Sequence, residues 1–170
     1  MSFSERSVSS RSRFDPIPLL AALAEADVDF VVIGGIAGGA HGSAYPTYDL
    51  DVAYGRDREN LERVTRVLRS LGAKLRGAPA DVPFQLDAKT LAEGGNFTFD
   101  TDYGPLDILA YPEGSAPYDR LRADSIVIRV ASHEIRVASL DHLIAMKEAT
   151  GRRKDELMAM EYKTLADLQR

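Results

Sequence analysis

The sequence predicts an α/β domain in which a mixed sheet is flanked by helices and closed by C-terminal helices. Short runs rich in β-branched residues alternate with amphipathic segments along the chain. Several amphipathic segments begin with a capping residue and end close to a glycine, as helices commonly do. Hydrophobic residues make up 45% of the 170 residues, which is enough for a packed core.

The first half of the chain predicts three helices and two strands. A capping aspartate before proline starts the first helix, and a β-branched run that stops at two glycines indicates a buried strand. The clearest helix has leucine and valine at spacings of three and four. In order, we expect a helix from Asp15 to before Asp29, a strand over 30–33, a short helix within 36–43, a strand over 48–54 and a helix from the cap Asp57 to Gly72.

The second half of the chain predicts two hairpins followed by two helices. Residues 77–94 contain prolines and predict only a short helix near 87–92. We expect hairpins over 96–99 with 106–109 and over 125–130 with 134–137, a helix from the cap Ser139 to about 149, and a last helix over 153–168. With no internal repeat or linker, we expect a disordered tail over 1–14 and a single domain over 15–170.

Composition excludes several classes of function. There is no cysteine, so disulfides, thiolate nucleophiles and cysteine zinc sites are ruled out. A formal net charge of −5 argues against a broad nucleic-acid coat, although a local basic patch can still contact RNA. No apolar run is long enough to span a bilayer, and the Ser/Arg-rich N-terminus has no apolar signal segment. We therefore expect a cytoplasmic protein with no membrane partner.

Three aspartates have the pattern of a metal site. Side chains alternate across a strand, so Asp49 and Asp51 share one face while Leu50 and Val52 face the core. Asp107 stands in the same way between two apolar residues on a later strand. Carboxylates are the ligands that Mg²⁺ takes, and the three converge if their strands are neighbours. Solvated acids at strand ends are the alternative.

Gly34 and Gly35 end the first predicted strand. Without a Cβ, their backbone N–H groups can approach a phosphate closely, whereas a tight turn is the alternative explanation. Other phosphate motifs are absent from the sequence. No G-x-G-x-x-G pattern occurs here, and the first lysine of the chain is Lys74, which excludes a P-loop.

Taken together, these motifs resemble a known superfamily. The order is apolar-Gly-Gly, a gap of thirteen residues, Asp-apolar-Asp-apolar, then a later apolar-Asp-apolar. It resembles the polymerase-β-type nucleotidyltransferases, and within them the AbiEii-like and MenT-like toxin nucleotidyltransferases. The narrower resemblance rests on residues 34–51 and on 141–155, which include Asp-His-Leu-Ile-Ala-Met-Lys. The chain departs from the common Gly-Ser version of the motif because Gly35 replaces the serine.

The resemblance implies the fold of these enzymes and a role for each matching residue. Asp49, Asp51 and Asp107 would hold Mg²⁺ (or Mn²⁺), and Asp107 would complete the acceptor-side metal or help to deprotonate the acceptor. The remaining expected nucleotide-binding residues are Gly34, Gly35, Ser43, Thr47, Lys147 and Asp155. Lys147 would bind the triphosphate, with a solvated helix lysine as the alternative. Ser43 and Thr47 would bond phosphate or order the loop, and His41 is expected to be structural.

Three hypotheses for function remain open. In the first, an active transferase moves a nucleotide from an NTP to RNA (tRNA foremost) or to a protein side chain, as the toxin of a toxin–antitoxin pair with a cognate antitoxin. In the second, a non-catalytic nucleotide-binding or regulatory module keeps the same fold. In the third, the motif matches are accidental. Retention of all three carboxylates and Lys147 favours the first hypothesis.

Overall fold

Seven strands form one mixed sheet in residues 14–170, which are the residues that the structure, a computed structural model, describes. The elements in chain order are α1 (Pro16–Glu25), β1 (Phe30–Ile33), α2 (Gly34–Ala40), β2 (Leu50–Tyr54), α3 (Arg58–Ser70), β3 (Lys74–Leu75), α4 (Ala88–Glu93), β4 (Asn96–Thr101), β5 (Gly104–Leu109), α5 (Tyr118–Ala123), β6 (Ile126–Val130), β7 (His133–Val137), α6 (Leu140–Ala149) and α7 (Arg153–Leu168). The sheet order is β3-β4-β5-β2-β1-β7-β6. The predicted fold class, a mixed sheet flanked by helices, is confirmed.

The predicted helix starts are confirmed by their capping bonds. The carboxylate of Asp15 accepts from the backbone N–H of Ile17, Asp57 accepts from Asn60, and Ser139 accepts from His142. Each bond satisfies a backbone donor that the first helical turn leaves without a partner. The sequence thus determined these three ends through local chemistry.

Two elements were not predicted, and several others begin one or two residues from where they were expected. Strand β3 has only two residues, too few to show a period, and exists because it pairs with β4. Helix α5 is a six-residue helix without a side-chain cap. Helix α2 begins at Gly34 rather than at residue 36, and β2 begins at Leu50 rather than at residue 48. Asp49 consequently lies just before its strand rather than in it.

The strand pairing determines where the carboxylates lie. Strands β2 and β5 are parallel neighbours, and Asp51 pairs directly with Asp107. Strand β1 runs antiparallel to β2, which places Ile33 beside Asp51. The flanking residues Leu50, Val52, Leu106 and Ile108 are all buried in the core. The alternation of apolar and acidic residues therefore holds both carboxylates on one face of the sheet.

Phe14 is the first residue that the structure describes. Of the expected tail over 1–14, all but Phe14 lies outside the described residues. Phe14 packs partly buried against the core and approaches Gly104, while the backbone N–H of Asp15 donates to the carbonyl of Tyr103 at 3.1 Å. None of the helices between residues 14 and 170 combines the length and the apolar composition that crossing a membrane requires.

Candidate active site

Asp49, Asp51 and Asp107 form one cluster at the centre of the sheet. One carboxylate oxygen from each lies within 4.8 Å of the others. The expectation that β2 and β5 are neighbours is confirmed by their register. Three carboxylates this close offer several oxygen ligands to a single hard cation, which suits Mg²⁺ or Mn²⁺.

The negative charge of Asp51 is disfavoured within the cluster. The pKa of Asp51 is raised to about 8, chiefly by burial and further by the negative charges of Asp49 and Asp107. The positive charge of Lys147 works in the opposite direction but is outweighed. An oxygen-rich donor set whose negative charge is disfavoured is what a divalent cation stabilises, so these residues suit a metal site.

The two glycines after β1 let the backbone lie directly against the cluster. Gly34 has φ +67, and a Cβ there would lie 2.2 Å from Asp51 Oδ2. A Cβ at Gly35 would lie 2.7 Å from the hydroxyl oxygen of Thr47. The positive φ therefore supports the turn explanation at Gly34, and close contact with a neighbouring side chain requires glycine at both positions. Approach of a phosphate to their backbone N–H groups stays a prediction.

Arg76 was not predicted as a site residue, yet it contacts the cluster. Its Nη2 donates to Asp107 Oδ1 at 2.9 Å and to the carbonyl of Phe99 at 2.7 Å, and its Nε donates to Asp100 at 3.1 Å. The contact depends on the pairing of β3 with β4 and of β4 with β5. No local motif marks this arginine, because it follows a two-residue strand.

Lys147 and Asp155 are joined in a network at the junction of α6 and α7. Lys147 Nζ donates to Asp155 Oδ1 at 3.3 Å, while Thr150 Oγ1 and Arg152 Nε donate to Asp155 Oδ2 at 2.7 and 2.8 Å. Asp155 is only 4% exposed. Burial by itself raises the pKa of Asp155, but the Thr150 hydrogen bond and the positive charges of Lys147 and Arg152 outweigh it and hold the pKa below its usual value.

A cavity of about 530 Å³ opens over this cluster, and we call it the cationic pocket. Its positive side chains are those of Arg76, Lys147, Arg152 and Lys154. Lys154 has no ion pair with any residue of the described chain. The pocket thus places four cations around carboxylates, the arrangement required to hold a polyanion together with a metal.

Most of the predicted site residues meet at this pocket. Those that line it are Gly35, Thr47, Asp49, Asp51, Lys147 and Asp155. Gly34 and Asp107 join them through their contacts with Asp51 and Arg76. Lining residues that sequence analysis did not identify include Tyr48, Pro105 and Met158. Tyr48, which was expected to lie in the second strand, instead precedes β2 and is 74% exposed.

Ser43 lies outside the pocket and has a different environment. Its hydroxyl contacts the carboxylate of Glu161 in α7, and the backbone N–H of Ala44 donates to the same carboxylate at 3.2 Å. His41 Nε2 lies 2.8 Å from the carbonyl of Ala138, consistent with its expected structural role. Of the two roles considered for Ser43, ordering the loop is the one that these contacts favour.

The fold is that of known nucleotidyltransferases. The structure superimposes on lincosamide antibiotic adenylyltransferase LnuA with lincomycin bound, with a TM-score of 0.59, 15% identity and coverage of 87% of this chain and 94% of that one. A putative nucleotidyltransferase from Thermotoga maritima gives 0.55 at 15% identity, covering 91% and 97% of the two chains. A nucleotidyltransferase-like protein from Paracoccidioides brasiliensis gives 0.54 at 16%, covering 89% and 73%. No protein-family model and no curated protein sequence matches the chain.

Proposed function

We propose that this protein is a divalent-metal-dependent nucleotidyltransferase of the polymerase-β type, which moves a nucleoside monophosphate from an NTP to a hydroxyl acceptor. The observation on which the proposal depends is the register that sets Asp51 beside Asp107, with Asp49 completing the cluster. The nucleotidyltransferase fold supports it. So do the four cations of the cationic pocket, because an NTP is a polyanion.

The reaction joins an acceptor oxygen to the α-phosphorus and breaks the bond from that phosphorus to the oxygen of the leaving pyrophosphate. Asp49, Asp51 and Asp107 would hold Mg²⁺ or Mn²⁺, which neutralises charge on the reacting phosphate. Lys147, Arg152 and Lys154 bind the β- and γ-phosphates from the α6–α7 side. Gly34 and Gly35 would offer their backbone N–H groups to the phosphates. Thr47, next to Gly35, contributes a hydroxyl.

Asp107 lies on the side of the cluster that faces β4 and Arg76. We assign the acceptor to this side, where Asp107 takes the proton that leaves the attacking hydroxyl. Asp155 acts through Lys147, because its buried carboxylate fixes the position of the ammonium group. Asp155 is therefore a positioning residue.

For the acceptor, we propose RNA, with tRNA foremost, or a protein side chain, in a toxin–antitoxin pair with a cognate antitoxin. The resemblance of residues 34–51 and 141–155 to toxin nucleotidyltransferases supports this choice. A small-molecule acceptor is the second candidate, because the similar structure LnuA is a lincosamide antibiotic adenylyltransferase. A non-catalytic nucleotide-binding module remains the alternative to both.

Thermal unfolding tests the donor half of the proposal without knowledge of the acceptor. Wild type and Asp49→Asn are unfolded with each NTP, with and without Mg²⁺ or Mn²⁺. A ligand at about a hundred times its Kd adds about 2.7 kcal/mol to the free energy of unfolding. We expect a metal-dependent shift in the wild type that Asp49→Asn loses. Asp81→Asn, an exposed loop acid away from the pocket, is the matched control and should keep the shift.

Label transfer from α-³²P NTPs tests catalysis and the acceptor together. Bulk tRNA, total protein and a lincosamide are offered in parallel with metal. Labelled RNA or protein supports the proposed acceptors, and labelled lincosamide supports the small-molecule candidate. Metal-dependent NTP binding with no label in any acceptor would favour the non-catalytic module. The absence of NTP binding at millimolar concentration would overturn the proposal.

A further inference from the structure

A second cavity of about 220 Å³, which we call the apolar groove, lies on the other side of Asp51. Apolar side chains from the sheet and from α6, among them Ile33, Leu109, Leu143 and Met146, form part of its lining, and polar or charged side chains form the rest. It shares Asp51, Lys147 and Arg152 with the cationic pocket. The two cavities therefore meet at Asp51.

We propose that the apolar groove seats the nucleoside of the donor and that Glu113 selects a nucleobase with an amino group; this inference depends on the proposed function. An NTP bound for transfer has its α-phosphorus at Asp49 and Asp51. Its charged β- and γ-phosphates then extend to one side and its uncharged nucleoside to the other. The cationic pocket suits the first part, and the apolar groove suits the second.

The wall that carries Glu113 is held in place on both sides. Upstream, Asn96 bonds the backbone of Tyr111 twice, accepting from its N–H at 3.0 Å and donating to its carbonyl at 3.3 Å. Downstream, Gly114 packs against α6 so tightly that a Cβ there would lie 2.4 Å from that of Ala149. Glu113 thus projects from a braced loop.

The carboxylate of Glu113 is free to recognise a ligand. It makes no hydrogen bond or ion pair with any residue in 14–170. Asn96, the other polar side chain at this end of the groove, is already occupied by Tyr111. An ionised carboxylate only accepts hydrogen bonds, so it suits the amino groups of guanine, adenine and cytosine. Uracil has no amino group, and its one ring donor, N3–H, lies between two carbonyl oxygens that a carboxylate repels.

Affinities for the four NTPs and for inorganic tripolyphosphate, each with Mg²⁺, test this inference by titration calorimetry. We expect UTP to bind about ten-fold or more weakly than the best amino-bearing NTP, because one hydrogen bond to a charged group separates them. Glu113→Gln should reduce that preference, and tripolyphosphate affinity should not change. The matched control Glu62→Gln, on the exposed face of α3, should keep the preference.

A second variant tests the groove itself. Leu109→Phe fills it, and we expect weaker binding of every NTP with unchanged binding of tripolyphosphate, at an unfolding midpoint that confirms folding. Equal affinity for all four NTPs and tripolyphosphate, unaltered by either variant, would overturn the nucleoside site and leave the transferase proposal standing. Failure of tripolyphosphate and of every NTP to bind would instead overturn the transferase proposal, and this inference with it.

Discussion

The guanidinium of Arg76 reaches across β4 to pair with the carboxylate of Asp107 on β5, with Nη2 and Oδ1 2.9 Å apart. The same side chain is held by Asp100 and by the carbonyl of Phe99. A fixed cation therefore shares one of the three carboxylates with any metal that binds there. Arg76 both neutralises the cluster and competes for one of its oxygens.

Removing Arg76 should change the affinity of the metal site in the absence of nucleotide. In Arg76→Gln, Asp107 gains a free oxygen and the metal no longer faces a repelling positive charge, so we expect Mn²⁺ to bind several-fold more tightly. The metal-free protein should lose about 1 kcal/mol of stability with the lost bonds. Titration calorimetry with Mn²⁺ and unfolding in EDTA measure the two effects. Arg66→Gln, an exposed arginine of α3, should change neither. A fall in Mn²⁺ affinity would contradict the competition.

Asp51 should destabilise the metal-free protein at neutral pH. Its pKa is about 8 in the folded state, against 3.8 for the ordinary carboxyl. The unfolded chain therefore loses this proton at a lower pH than the folded protein does. Stability in EDTA therefore falls as pH rises from about 4 to 8. Asp51→Asn should be more stable than wild type at pH 8, by about 2 kcal/mol or about 4–8 °C. Thermal unfolding against pH in EDTA measures this. Wild-type stability that rises over the same interval would contradict it.

Asp155 should have the opposite dependence on pH. Its pKa is held below the ordinary value, so its stabilising contribution is present above that value and is lost as pH falls through the lower, folded pKa. We expect wild type to lose stability on acidification more steeply than Asp155→Asn, which should already be less stable at pH 7. Unfolding midpoints between pH 2 and 7 compare the two. Parallel profiles would show that the Lys147 and Arg152 contacts contribute nothing.

Lys147 should contribute charge to the binding of phosphate. We expect Lys147→Met to weaken tripolyphosphate and NTP binding about 10- to 100-fold, the range for one bond to a charged group. Lys147→Arg keeps the charge and should recover much of the affinity. If Lys147→Met binds tripolyphosphate as wild type does, Lys147 serves only to hold Asp155 and does not bind phosphate.

The two glycines Gly34 and Gly39 of α2 should respond oppositely to alanine. In Gly34→Ala the new methyl group meets Asp51 Oδ2 at a positive φ, so we expect a loss of at least about 2 kcal/mol and of Mg²⁺ binding. Gly39 has no atom within 4 Å of an added Cβ, and Gly39→Ala should be neutral or add about 0.5–1 kcal/mol. Unfolding midpoints with and without Mg²⁺ compare them. Equal effects would mean that contact with Asp51 is unimportant.

Local chemistry accounts for what could be predicted of the fold. Caps such as Asp57 and Ser139, the heptad-like spacing of α3 and the alternation around Asp107 act within a few residues, and the sequence displays them directly. Strand β3 and helix α5 escaped prediction because each is stabilised by elements distant in the chain. Two residues cannot display a period, and α5 buries only Leu121.

The site divides in the same way. Asp49, Asp51 and Asp107 were predictable because a carboxylate between apolar neighbours is unusual enough to notice. Arg76 was not predictable, because its hydrogen bond to Asp107 forms across β4 and depends on the pairing of β4 with β5. Glu113 has no sequence signal either, and only the bracing of its loop by Asn96 and Gly114 distinguishes it from other surface acids.

The contact between Ser43 and Glu161 has a consequence for the time at which the site is assembled. These residues are separated by 118 positions, and Glu161 also holds Ala44, just ahead of Thr47 and Asp49. Domains begin to form while the ribosome is still adding residues. A nascent chain from which α7 has not yet emerged therefore lacks both bonds from Glu161 to the segment leading into Asp49. Docking of α7 supplies both bonds and fixes this segment beside the carboxylate cluster.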